Sequence, residues 1–330
     1  MAVFTPINDS EAYFQVVTYS GTSSSTAVTL PGSTNMQPDM LFIKSRSNAE
    51  HPCFYDDIRG TGKRLLASEA NAENDEGSNG VSAFNSDGFT TGENGASGQN
   101  TYTYVAYAWK ESATAGFDIN IHTGTGSSAD VSHNLSAVPD VIFTKRRNDT
   151  QQWFIYTKVL GAQKALFLDT NSAESSQPTA YDALPTSSVI NYGNDNAVNG
   201  SSDTYVAYLW KSIQGFSKIS EYKGNGNVDG PFIPLSFSPA FIMVKNTDGT
   251  DNWFVKTRKI QVNPNNYYFK PDESAAEVTS NTVTAIDFLS NGFKIRATDS
   301  ICNSSGSEYF FMAFAESPLV NSEGVPTTAK

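Results

Sequence analysis

The chain has 330 residues, of which 17% are charged, and 34 acidic against 22 basic side chains give a net charge of −12 at pH 7. A field of that sign repels phosphate backbones and anionic membranes, which excludes nucleic acid as a natural partner. The N-terminal residues carry neither a basic region nor an apolar run, and no stretch of 18 apolar residues exists, so neither a signal peptide nor membrane insertion is expected.

The chain reads as one unit met three times. A first apolar strand, YFQVVTY at 13–19, runs into the turn residues 20–22. Its counterparts begin GFDINIH at 116–122 and GFSKISEY at 215–222, each followed by a Gly-x-Gly turn. Next comes a strand opened by proline and closed by lysine: PDMLFIK at 38–44, PDVIFTK at 139–145 and PAFIMVK at 239–245. Proline at the first position of a strand forfeits no ladder bond. A polar turn leads to CFY at 53–55, WFIY at 153–156 and WFV at 253–255, which sets Phe54, Phe154 and Phe254 in register and makes Cys53 the replacement for a Trp. An Ala-Glu pair then recurs at 72–73, 173–174 and 276–277. Asp87-Gly88 and Asn291-Gly292 lie between apolar runs, a hairpin signal that the second unit lacks. Each unit ends in its most characteristic strand: TYVAYAWK at 103–110, TYVAYLWK at 204–211 and FFMAFAE at 310–316. Alternate residues on both faces of this strand are apolar, so it is expected to be central and covered on both sides. Its middle Ala falls at 106, 207 and 313.

A period near 100 with seven or eight short strands per unit predicts an all-β chain. The expected form is three tandem antiparallel β-sandwich repeats at 11–111, 112–212 and 213–318, with short flanking tails at 1–10 and 319–330. A propeller is the alternative, although its blades are nearer 40–50 residues. The minimal linkers imply units packed on one another, and no amphipathic helix stands out.

Candidate chemistry is sparse. His51, His122 and His133 lack the spacing of zinc ligands. Tyr222 stands where the second unit has His122, as expected of a half-buried ring position. Gly124-Thr125-Gly126 and Gly224-Asn225-Gly226 are too short for a phosphate loop. Asp229, Asp248, Asp251 and Glu277 are carboxylates that a glycosidase needs in pairs, but no spacing fixes a pair. Residues shared by all units read as fold determinants: the strand-end Lys as a carboxylate partner or cover for apolar surface, the Ala-Glu pair as a solvated turn or a weak cation site, Trp153 and Trp253 as core. Cys53 and Cys302 lie at non-equivalent positions and are expected to be unbridged. No catalytic, cofactor-binding or metal residue is assigned.

The segments GFDI…TGTG, KISEYKGNG, SPAFIMVKNTDGTDNWFVKT, DFLSNGFKIR, DTYVAYLW and YFFMAFAESP resemble a family of repeat-containing virion proteins of tailed bacteriophages, over about residues 11–318. The resemblance implies lectin-like sandwich repeats in a non-enzymatic virion structural protein. Such a protein would be a tail fibre or similar appendage that adheres to a host surface glycan through its loops. Other tail or capsid proteins would be its partners, and a homo-oligomer, with a trimer favoured, its state. A capsid or tail decoration protein without a ligand and a surface-glycan hydrolase are the alternatives. The first repeat, the most divergent, is expected to dock on the particle.

Overall fold

The computed structural model describes residues 5–279 and 284–320. It is all-β, with antiparallel sheets and two four-residue helical turns, Asn196–Asn199 and Ser300–Asn303. Three large sheets share one strand order. In the first, Phe14–Ser20, Thr103–Trp109, Met40–Ser45, Cys53–Asp56 and Lys63–Leu66 lie side by side. The second repeats it with Phe117–Thr123, Thr204–Trp210, Val141–Arg146, Phe154–Thr157 and Lys164–Phe167. The third has Ser217–Lys223, Glu308–Pro318, Phe237–Asn246 and Phe254–Thr257. Smaller sheets of two or three strands accompany them.

The strand expected to be central is so in each large sheet, paired on both edges. In the first two sheets its two faces serve different cores, while both faces of the third belong to one cluster. Val105, Tyr107 and Trp109 join Val206, Tyr208, Trp210, Phe310, Met312 and Phe314 in one cluster common to the three sheets. On the other face, Tyr104, Ala106 and Ala108 pack with Val28 and Phe89 of the first small sheet. Ala207 and Leu209 pack with Ile190 and Tyr192 of the second. Trp109 lies against both Trp210 and Phe314, with ring centroids 6.2 and 5.5 Å apart.

Docking between the large sheets runs in a cycle. The loop bearing Glu73 leaves the first sheet and its N–H donates to Arg147 O of the second. Glu174 N–H of the second donates to Thr247 O of the third, and Glu277 N–H of the third to Arg46 O of the first. The recurrent Ala-Glu pair is therefore a clasp between sheets, neither a solvated turn nor a cation site. Arg147 grips Glu73 through both carboxylate oxygens at 2.9 and 3.0 Å, and Arg46 grips Glu277 at 3.0 and 3.1 Å. Arg59, from the first sheet, adds a bond to Glu73 at 3.0 Å.

The strand-end lysines also differ from expectation. Lys44, Lys145 and Lys245 are all fully buried. Each ammonium donates to main-chain carbonyls: Ser45 and Glu50 for Lys44, Ala70 and Gln151 for Lys145, Asn246 and Gly249 for Lys245. Carbonyls replace the carboxylate because the polar turn after the strand closes over the ammonium and must satisfy its own buried backbone. Burial pulls all three lysines down to about 8.

Pairing also corrects two sequence registers. Ile43 pairs Cys53, Thr144 pairs Phe154 and Val244 pairs Phe254. Cys53, not Phe54, thus stands where the other sheets have phenylalanine, and Pro52 stands where they have Trp153 and Trp253. Counted from the lysine, Cys53, Phe154 and Phe254 are each nine residues on, so aligning the phenylalanines shifts the first sheet by one, and a one-residue slip exchanges the faces of a strand. Phe54 accordingly joins Ile155 and Val255 in the shared cluster. Similarly, the residue opposite Val244 is Phe311, as Ala106 is opposite Ile43 and Ala207 opposite Thr144. Ala313 lies two residues further on, a slip that preserves its face.

The Asp87-Gly88 and Asn291-Gly292 hairpins form, but their two-residue loops are Ser86-Asp87 and Ser290-Asn291. Each glycine starts the return strand, with φ of +155° and +157°, because Val28 O or Ile233 O would lie 2.0 or 2.1 Å from a Cβ there. Both cysteines are buried in different clusters and are not joined in a disulfide.

Phe154 is fully buried against Phe167 and Tyr181. Phe154→Ala is expected to cost about 3–5 kcal/mol by creating a cavity, read as a lower midpoint in chemical denaturation. Glu73→Gln leaves Arg147 without its carboxylate and Arg59 with Asp56 alone, a loss of about 2 kcal/mol for charge-assisted hydrogen bonds. The same denaturation experiment measures it.

Candidate functional site

The cyclic seams are alike in design and unlike in detail. Trp153 Nε1–H donates to Leu66 O across the first seam at 2.7 Å, and Trp253 Nε1–H to Phe167 O across the second at 2.9 Å. Both tryptophans are fully buried, as expected of core. The third seam, between the third and first sheets, has Pro52 at this position. Trp153 N–H donates to Asp169 at 3.1 Å, whereas proline has no N–H to offer and Ser68 stands in the place of that aspartate.

A hollow of about 400 Å³ occupies this third seam, lined by His51, Ser68 and Glu69 of the first sheet and Asp272, Glu273, Ser274 and Ala275 of the third. It is a polar concavity, lined mostly by carboxylates and hydroxyls. His51 Nδ1 lies 2.8 Å from Ser68 Oγ and 3.6 Å from Glu69. Asn252 Nδ2 donates to Asp272 at 2.8 Å and to Glu273 at 2.9 Å, and Lys270 pairs with Glu273 at 3.2 Å. The second oxygen of Asp272 is buried without a partner. Burial pushes both Asp169 and Asp272 up to about 6. Among the described residues, no group of three or more His, Cys, Asp or Glu is placed to hold a metal ion. The hollow offers carboxylates, a hydroxyl and an imidazole for hydrogen bonding; Ser68 Oγ and Glu69 both approach the same ring nitrogen of His51, so the three do not form a relay through its two nitrogens.

The other sequence candidates are dispersed. His122 is half-buried, stacked on Tyr205 at 4.9 Å, just as Tyr19 stacks on Tyr104 and Tyr222 on Tyr309. Its pKa is lowered by burial, and it borders a second hollow of about 220 Å³ with Ile121, Thr123, Arg147 and Thr204. His133 is buried and bonded to Thr186 O. Gly124 and Gly224 are turns pressed against Gly200 O and Ser304 O. Of the four carboxylates, Glu277 holds Arg46, Asp229 holds Lys294, Asp248 accepts Glu308 N–H, and Asp251 accepts from Asn246 and Ser300. Sequence reasoning singled out His51 but missed Ser68, Glu69, Asp272 and Glu273. The available signal was the loss of the Trp at one seam, hidden by the register slip at Cys53.

The chain belongs to a family defined as a domain of unknown function, DUF7483, whose model matches residues 9–318. No curated protein and no solved structure is significantly similar to it.

Because Asp272 has a higher pKa folded than the usual 3.8, the folded state holds the extra proton between about 4 and 6. Its contribution to stability is complete below about 4 and is lost as pH rises through 6. Asp272→Asn is therefore expected to raise the thermal midpoint relative to the parent at pH 7, with the gain vanishing at pH 4. Paired melting curves at the two pH values check it.

Proposed function

We propose that this protein is a non-enzymatic virion structural protein of a tailed bacteriophage. It would be a tail fibre or similar appendage that adheres to a host surface glycan. On this reading the large sheets and their small partners are three tandem, lectin-like antiparallel β-sandwich repeats. They correspond to residues 11–111, 112–212 and 213–318, and the first docks on the particle. Homo-oligomers, with trimers favoured, would display several copies, and weak sites acting together gain through avidity.

The observation that carries the reading is where the shared polar groups go. The three buried lysines bond to backbone carbonyls, and the three Glu-bearing loops bond to the next sheet. The hydroxyls of Tyr104, Tyr205 and Tyr309 donate to Gly95 O, Asn196 O and Ser300 O. These three recurrent polar positions are committed to closing the body. A durable body with differing exposed loops suits display and adhesion better than turnover.

Purified particles analysed by mass spectrometry should contain the protein, and its absence would overturn the virion assignment. Incubated with host surface polysaccharide, it should bind without releasing oligosaccharide. Steady release would instead establish a glycan hydrolase. Blank results on both a glycan array and whole cells would establish a decoration protein without a ligand.

A further inference from the structure

The small sheet beside the third large sheet consists of Phe232–Pro234, Gly292–Ile295 and Ile286–Leu289. Phe232 pairs Lys294, and Lys294 pairs Asp287. These three therefore form a row across the sheet on one face, while Ile233, Phe293 and Phe288 face the core. The row spans two strand spacings, roughly 10 Å. Phe232 is 42% exposed. Asp229 and Arg296 flank the row in one ion-pair chain. Lys294 meets Asp229 at 2.8 Å, Arg296 meets Asp229 at 3.4 Å, and Arg296 meets Asp287 at 2.6 Å.

The fold does not require this arrangement. Phe232 lies over Gly292, where its ring would be 3.1 Å from a Cβ, and covering a strand glycine is a recognised use of an aromatic. The first small sheet tests that explanation. Gly88 has the same backbone conformation and the same close carbonyl, yet the residues in the row are Ala27, Thr90 and Ala83. In the second, Asp130 pairs Asn191 at the corresponding place. An exposed ring with two cations and two carboxylates is thus particular to the third sheet.

We infer that this face, built on Phe232, Lys294, Asp287, Arg296 and Asp229, is a binding platform for a neutral pyranose sugar. The inference rests on the adhesion reading above and assigns it a site. A pyranose presents electropositive C–H bonds on one face and hydroxyls around its rim. The π-face of an aromatic ring is the negative end of its quadrupole and attracts such C–H bonds. Carboxylates accept from hydroxyls, and guanidinium and ammonium groups donate to them. The mutual ion pairs hold these groups in place before any ligand arrives, which lowers the ordering cost of binding. Two cations against two carboxylates leave the platform without net charge. It therefore lacks the excess positive charge that would select a uronate or another acidic sugar.

The test is an NMR titration with methyl glucoside, galactoside and mannoside, and with glucuronate as the acidic contrast, on the parent, Phe232→Ala and Asp229→Asn. At least one neutral glycoside should bind in the millimolar range, with affinity falling about tenfold in Phe232→Ala, equivalent to about 1.4 kcal/mol, and less in Asp229→Asn. Phe232→Trp keeps the ring, should retain binding, and should change its fluorescence when the sugar is added, which gives a readout if Phe232→Ala does not fold. Binding of none of the neutral glycosides, preference for glucuronate, or affinity unmoved in a folded Phe232→Ala overturns the proposal. Whole-cell adherence separates the two levels. Adherence by the parent that Phe232→Ala retains removes the site and leaves the adhesion reading standing, whereas a parent that does not adhere removes both.

Discussion

The structure depends on one constraint: the central strand of each large sheet is apolar on both faces. An isolated two-layer arrangement covers one face and leaves Tyr107, Trp109, Tyr208, Trp210, Met312 and Phe314 in water. Burying a large side chain is worth about 1.5–3 kcal/mol, so the second face has to find a partner. Here the partners are the equivalent faces of the other two sheets, which meet in a single cluster. The cyclic clasps follow from this, because three sheets sharing one core need their mutual angles fixed. Hydrophobic contact is non-directional and does not fix them.

Direction comes from the polar groups at the seams. A bidentate arginine–carboxylate pair imposes a planar geometry, and Arg147–Glu73 has it, while Arg46 directs two N–H groups at one oxygen of Glu277. The indole N–H bonds of Trp153 and Trp253 to carbonyls of the preceding sheet add a second fixed point at two seams. Where Pro52 removes that bond, packing loosens into the hollow lined by His51 and Asp272. The exchange of tryptophan for proline, which has neither an indole N–H to cross the seam nor a backbone N–H for an aspartate, thus connects a change in sequence to this polar hollow. That hollow and the Phe232 platform both arise where the three-way likeness fails, which is where function can differ without cost to the common body.

Much of the fold is legible in the sequence because it is governed by local rules. Alternation over 103–109 and 204–210 gives strands with two buried faces, the Pro-to-Lys runs give the neighbouring strands, and the Trp runs at 153 and 253 give core. The absence of helical periodicity agrees with helices limited to four residues. The candidate site was poorly legible. His51 was visible as a residue, but its neighbours Asp272 and Glu273 lie more than 200 positions away in the chain. Phe232 reads in sequence as one more apolar residue beside a proline.

What the sequence by itself determined is therefore the strand content, the period near 100 and the order of strands along each unit. These follow from side-chain alternation and turn chemistry within a few residues. What only the tertiary structure decided is register and docking. Strand pairing puts Cys53, not Phe54, level with Phe154 and Phe254 and so turns Phe54 to the shared core, and a period-two strand gives no local penalty that would reveal such a slip when both faces are apolar. The lysines and Ala-Glu pairs acquire their roles from backbone carbonyls of distant segments. A carbonyl is present at every residue, so sequence carries no mark of which one will be near.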